Sequence, residues 1–457
     1  ARLGAKTILV ERFGCLGGLP TTNLVGALSG FCGSTAFKFG RMLQRVPLIL
    51  GGIPVEIIER LRALGGVHQG DRFTWESIPH DPEVFKYVAD RMVEEANIKV
   101  FLHTWAVAAT VEDNRITAVI TESKSGRRAI RGKVFVDATG DADVAFHGGV
   151  AYTKGRSADG KTEPMGSYFK VGGVRRLTGE EFHKGVDAVT GAINEGKLFA
   201  SYHGVEYRPS NLRDDEITPC ITRVAGDATN VEDITRAEIE GRKQTWEYVQ
   251  FIRENIAGYN GAYLSQTPIQ FAPRETRQIK GLYTLTGEDI HEGHKFEDGV
   301  ARTSFFIDIH CPRGKVAGGR TVDYWVCSRD CKMDPNCYMK TKFPDELLPF
   351  EKIFFKKEGD WCDIPYRSLI PDTIDNLLVS GRCISATHQA MASLRVVGPC
   401  MAIGQAAGTA AALCVEKGVV PRSLEIRSLK DALKAAGVLL DNEVRYVARK
   451  GSPVANA

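Results

Sequence analysis

An α/β fold in two parts is predicted from three observations in this 457-residue chain. A short apolar strand ending in an acid, KTILVE at 6–11, runs into the glycine-bearing loop FGCLGG. A second apolar strand, Val134–Val136, runs into the small-residue turn DATGD at 137–141. A third, in NLLVSG at 376–381, is followed by a polar loop and a Gly/Ala helix starting near Pro399. The sequence between the second and third mixes strands with one long helix and reads as a second, α+β domain.

The elements follow in order. ARLGA reads as the end of a helix, with Gly4 able to terminate it. Residues 81–97 carry Val84, Tyr87, Val88 and Met92 at helical spacing, with Asp81 as cap and Pro82 in the first turn. Strands are expected at VFLHT, AVAATVE, RITAVITE, RRAIRG and KVFVDAT, with turns at Asp113-Asn114 and Ser125-Gly126. Further strands are expected at SYFKVGGV, GLYTLTGED and TSFFIDIH, and a helix near 231–257. The Gly/Ala helix is closed by Gly418, and another helix is expected at 427–436. These elements divide the chain into 1–150 and 364–449, the two parts of one domain, and 151–363, a second domain with a Cys-bearing insertion. Residues 450–457 read as a tail.

Composition narrows the classes. Hydrophobic residues at 43% and charged residues at 25% are those of an ordinary globular chain. The 59 basic and 56 acidic residues leave +3, which excludes the concentrated basic excess of a nucleic-acid binder. No stretch reads as a signal peptide, and the nearly uncharged run Val396–Val415 suits a helix packed inside a protein rather than a membrane span. Eleven irregularly spaced cysteines point to a reducing, cytoplasmic compartment. Cys327, Cys331 and Cys337, with Cys311 or His310 as a fourth donor, leave a metal or iron–sulfur site open. Their spacings match no common metal motif, so free thiols in a surface insertion are the preferred reading and no metal is expected.

The three strand–turn units together make a Rossmann-like dinucleotide site. An acid closing the second strand accepts ribose hydroxyls, glycine turns let backbone amides approach phosphates, and a helix N-terminus adds positive potential. Glu11 is the acid, and Gly17 and Gly18 allow close backbone approach. The glycine turn that ordinarily precedes such an acid by about 20 residues falls ahead of Ala1. The first strand and the Gly-rich turn are therefore expected to be missing from this sequence.

E-R-F-G-C-L-G-G, V-D-A-T-G-D-A-D-V-A, I-P-Y-R-S-L and N-L-L-V-S-G-R-C-I-S-A-T-H-Q-A…R-V-V-G-P-C-M-A-I-G-Q-A-A-G resemble the FAD-dependent oxidoreductase family, relatives of the glutathione reductase fold. The resemblance covers nearly the whole chain, and the last motif is the most specific. F-A-P-R-E-T-R-Q-I-K-G at 271–281 is similar to an arginine-containing segment of the family. The resemblance implies a Rossmann-like FAD-binding domain with a substrate or cap domain, and FAD lying extended. Glu11 would bind the ribose, and Gly17 and Gly18 would lie near the phosphates. Thr139, Gly140 and Asp141 would flank the nucleotide, Gly381 and Arg382 would approach the pyrophosphate, and Met401 and Gly404 the ring. Arg12, Thr22, Val107 and Arg395 complete the expected cofactor contacts.

The expected reaction is hydride transfer between flavin and a small organic substrate, a carboxylate or a sugar derivative. The protein must then manage one proton. His388 is the first choice, between two flavin-contacting segments, and His310, after FFID, the second. Arg274, Arg277 and Arg395 are candidates to clamp a carboxylate, because guanidinium pairs with it bidentately. Two other readings stay open: a flavin-binding protein without turnover, and a metal-dependent electron carrier built on the Cys cluster. No C-x-x-C occurs, so a redox disulfide is not expected.

Overall fold

The computed structural model of the chain describes residues 1–34, 45–69, 75–199, 212–312, 327–331 and 336–448. The tail expected at 450–457 and much of the Cys-bearing insertion lie outside them.

Two parallel strand pairs frame the molecule. Ile8–Val10 pairs with Lys99–Phe101, and Phe135–Asp137 pairs with Leu377–Val379. Both connections are long, as parallel pairing demands. The helix Pro82–Glu95 lies in the first connection. Asp81 caps it by accepting from the amides of Glu83 at 2.8 Å and Val84 at 3.5 Å. Phe85 and Val88 are buried, while Tyr87 is 56% exposed, although its spacing placed it with the apolar residues. Between the pairs, Trp105–Glu112, Arg115–Ser123 and Gly126–Ile130 form an antiparallel meander. Asp113 and Asn114 take φ of 48° and 58°, the left-handed turn those residue types tolerate.

The helix Val397–Lys417 begins two residues before Pro399, which sits in its first turn, where a missing N–H costs nothing. Gly418 closes it at φ 68°. Among the described residues it is the one helix long and apolar enough to cross a membrane, and most of it is buried inside the protein. Ala402, Ile403, Ala406, Ala407 and Ala410 join the main core, with residues running from Leu28 to Leu440.

A second core gathers around the strand Lys170–Gly172, which pairs with Glu216–Ile217 and Tyr263–Gln266. Phe169, Val171, Val189, Tyr248 and Ile252 fill it, beneath the helices Gly179–Asn194 and Val231–Asn255. Asn230 caps the longer helix, accepting from Glu232 N at 2.8 Å. Residues between Ile279 and Cys362 pack instead into the main core, and Met165, Val224, Ala237 and Phe271 form a small third cluster, so the 151–363 segment is shared among three.

Three expectations change, one helix end and two strands. ARLGA is a turn in which Gly4 N donates to Ala1 O at 2.7 Å, not a helix end. GLYTLTGED contributes isolated bridges at Gly281 and Leu285, then enters the helix Gly287–Glu292. Thr286 and Asp289 form a capping box there, so TGED is a helix start whose preceding alternation imitates a strand. In TSFFIDIH the strand is Gly299–Thr303, and 304–310 leave the sheet. Ser304 turns its hydroxyl to the Cys32 carbonyl there.

Candidate active site

Loops that are far apart in sequence line one cleft of about 1700 Å³. Ile8–Val10 borders it, and so do Phe135 and Val136, one strand from each parallel pair. Glu11, Arg12, Gly17, Gly18 and Thr22 come from the first loop, Thr139 and Gly140 from the second, Gly381 and Arg382 from the third. Arg395, Met401 and Gly404, around the start of the Val397–Lys417 helix, line it too.

Local bonding fixes each group. Glu11 Oε1 accepts from Phe13 N at 2.8 Å, and its carbonyl accepts from Thr104 N at 3.0 Å. Arg12 donates to Gln270 Oε1 at 2.8 Å and lies 4.7 Å over the Phe13 ring. Asp137 builds the second turn: it accepts from Thr139 N at 3.0 Å, Thr139 Oγ1 at 2.7 Å and Ala145 N at 2.9 Å. Burial raises its pKa despite those donors. Gly140, at φ +78°, lies where a Cβ would come within 2.8 Å of Arg382 Nη2, so the guanidinium crosses the turn only over glycine. Arg382 Nη2 pairs with Asp141 Oδ1 at 2.9 Å, while its Nη1 is buried with no partner among the described residues.

A second cluster lines the same cleft: His310, Asp308, Arg395, Arg274 and Arg223. Arg395 Nε meets Glu163 Oε1 at 3.1 Å, and its Nη2 meets the Asp308 carbonyl at 2.8 Å and Oδ2 at 3.2 Å. His310 Nε2 lies 3.4 Å from Asp308 Oδ2. Burial, with Arg223 and Arg274 adding repulsion against the pull of Asp308, lowers the His310 pKa to about 4, so the ring is neutral at pH 7. Burial would raise Asp308, but His310, Arg395 and Arg274 hold it well below the usual carboxylate range.

Four expected site residues stand outside the cleft wall. His388 sits behind it, Nδ1 at 2.8 Å from both Glu275 oxygens; burial opposes its charge, yet Glu275 raises its pKa. Arg277 pairs with Asp143 at 2.9 Å and stacks 4.3 Å from Phe146. Asp141 is turned toward Arg382 and Thr276. Val107 is half-buried in the meander, where its neighbours Trp105 and Ala106 border the cleft instead. Arg223 escaped the sequence reading: ITRVAG carries no signal that separates a buried arginine from a surface one.

All eleven cysteines are free thiols. Cys327 N donates to Ile309 O at 2.9 Å and its sulfur lies 3.9 Å from Arg156 Nη1. Among the described residues no three metal-ligating side chains converge.

The model of the family described as FAD dependent oxidoreductase matches residues 1–433. The chain belongs to the FAD-dependent oxidoreductase family. Membership makes FAD the cofactor of this flavoprotein. Similar solved structures include THI4 of Thermovibrio ammonificans, 16% identical over 34% of this chain and 58% of that one, with a TM-score of 0.24. CabE, an aromatic hydroxylase from angucycline biosynthesis, is 13% identical over 62% of this chain and 50% of its own, with a TM-score of 0.30. A geranylgeranyl bacteriochlorophyll reductase-like protein of Thermoplasma acidophilum is 10% identical over 95% and 79%, with a TM-score of 0.37. The chain thus spans 58% and 50% of the first two. A search of curated proteins finds no match.

The cleft suits the cofactor. Its volume exceeds the roughly 300–1000 Å³ of an ordinary small-molecule pocket. Gly18 and Gly381 border it with nothing within 4 Å of the position a Cβ would take. Arg382 Nη1 is an unused donor of the kind a phosphate oxygen satisfies.

Proposed function

We propose that this flavoprotein transfers a hydride between a small organic substrate and FAD, with the cofactor extended along the cleft. The observation that supports it best is the convergence of the loops at 11–18, 139–140 and 381–382 on one space. The same reading takes the two parallel pairs as parts of one Rossmann-like sheet.

Glu11 would receive the ribose hydroxyls at Oε2, because Oε1 is engaged by Phe13 N. Gly17, Gly18 and Gly381 would give backbone access to the phosphates, and Arg382 Nη1 would donate to one phosphate oxygen. The Val397–Lys417 helix has no side-chain cap at its start, which leaves its first amides, and their partial positive charge, for the electron-rich edge of the ring system. When bound, FAD supplies the two-electron chemistry. His310 would hold or return the substrate proton at Nδ1, because Nε2 faces Asp308. Arg395 keeps Asp308 ionised and in place for that role.

The test is spectroscopic. Purified protein should take up FAD to one equivalent and bleach anaerobically with a substrate drawn from a panel of hydroxy acids and sugars. Glu11→Ala and Arg382→Met should lower FAD uptake. Protein that stays colourless after incubation with excess FAD would overturn the reading.

A further inference from the structure

Two arginines in the cleft wall have no ion-pair partner of their own among the described residues. Arg223 is only 5% exposed. Its Nη1 donates to the carbonyls of Thr222 at 2.7 Å and Cys220 at 3.2 Å. Arg274 Nη1 donates to the Pro164 carbonyl at 2.7 Å. Among the described residues neither has a carboxylate within ion-pair reach.

The two groups are held side by side. Arg223 Nη1 is 3.7 Å and Arg274 Nη2 is 3.9 Å from the same sulfur, Cys220 Sγ. Gly166 makes room for this: a Cβ there would lie 2.6 Å from Arg274 Nη1 and 2.7 Å from the Thr222 carbonyl. Backbone carbonyls thus engage Nη1 of each fork, while Arg223 Nε and Nη2 have no protein partner among the described residues. Both side chains line the cleft beside His310.

Charge balance sharpens the point. Burial first, and Arg223 next, push the Arg274 pKa down to about 10, so it remains a cation at pH 7. The nearby carboxylates, Glu163 and Asp308, are taken by Arg395. Three guanidinium groups against two carboxylates leave one positive charge, and neutral His310 does not alter that. A buried cation without a counter-ion is costly, and such groups gather where a ligand brings the opposite charge.

We propose that Arg223 and Arg274 bind the carboxylate of a monoanionic substrate and so set the substrate class of the flavin site. The inference rests on the flavin reading above. The planar forks match a carboxylate bidentately, and the single residual charge matches a monoanion rather than a phosphate dianion.

The test titrates the FAD-loaded protein with glycolate and acetate, with the neutral glycolamide and acetamide, and with inorganic phosphate. Calorimetry and the flavin absorption band are the readouts. At least one carboxylate should saturate the site and perturb the band, the amides should not, and phosphate should bind more weakly. Arg223→Gln and Arg274→Gln should each weaken carboxylate binding at least tenfold with FAD content unchanged. Arg274→Lys, which keeps the charge but loses the planar fork, should bind more tightly than Arg274→Gln and more weakly than the parent, and so separates charge from folding. Equal binding of acid and amide, tighter phosphate, no saturation by either acid, or loss of FAD in step with the anion would each overturn the proposal. Arginine-dependent carboxylate binding by protein that takes up no FAD would leave the anion site standing and sink the flavin reading instead.

Discussion

Asp141 and Arg382 pair at 2.9 Å with each side chain 9% exposed, joining the turn after Phe135–Asp137 to the turn after Leu377–Val379. Nη2 of the guanidinium is thereby fixed, and Nη1 is left buried with no partner among the described residues.

Arg382→Met therefore acts in two ways. It strands a buried carboxylate, which costs about 3 kcal/mol, and it removes the proposed cofactor contact. The double variant Asp141→Asn with Arg382→Met should recover most of the stability in urea titrations. Its flavin-to-protein ratio should stay low, because the proposed phosphate donor is still missing. Recovery of FAD binding in the double variant would show that Arg382 serves only the fold.

Acid should weaken the protein through two buried neutral histidines. His80 Nε2 lies 3.3 Å from the Pro20 carbonyl, which can only accept, so Nδ1 is the bare nitrogen and has no partner among the described residues. Burial lowers its pKa to about 4, as it does for His310. Folded values below the unfolded value mean a contribution that is complete above about pH 6.5 and lost as pH falls toward 4. Each histidine should give up roughly 2 kcal/mol by pH 5. Urea midpoints between pH 7 and 5 check this, and His80→Gln should flatten the slope.

His388 has the opposite sign. Its folded pKa is raised, so its contribution is present in mild acid and is lost as pH rises through the folded value. Glu275→Gln should cost about 2 kcal/mol at pH 6 and drop the His388 pKa in an NMR titration. Since His388 stands behind the cleft wall, the variant should keep its FAD. A large fall in turnover with intact FAD and stability would return His388 to the chemistry.

Asp137→Ala removes the acceptor of the Thr139 amide, the Thr139 hydroxyl and the Ala145 amide. Roughly 3 kcal/mol of stability should go with it, and FAD uptake should fall because Thr139 and Gly140 lose their turn. Asp137→Asn keeps an acceptor and should recover part of both, measured by thermal melting and flavin content.

What could be read ahead of the fold was local. Asp81 before Pro82, Asn114 in a tight hairpin, Gly418 after a Gly/Ala run and the acid closing TILVE each act on neighbouring backbone, so a few residues suffice to place them. GLYTLTGED misled because the capping box of Thr286 and Asp289 follows an alternating stretch that never joins a sheet.

The sequence by itself determined the strand–turn units and the family motifs, because those are contiguous. Tertiary structure alone decided which charges are spent and which are spare. Arg277 and Arg395 look like Arg274 in the sequence, yet Asp143, Glu163 and Asp308 neutralise the first two. Arg223 and Arg274 meet at the sulfur of Cys220, three residues before Arg223, and Gly166 from a distant segment leaves the room for Arg274. Coulomb energy and desolvation depend on distance and burial in space, which residue order does not carry.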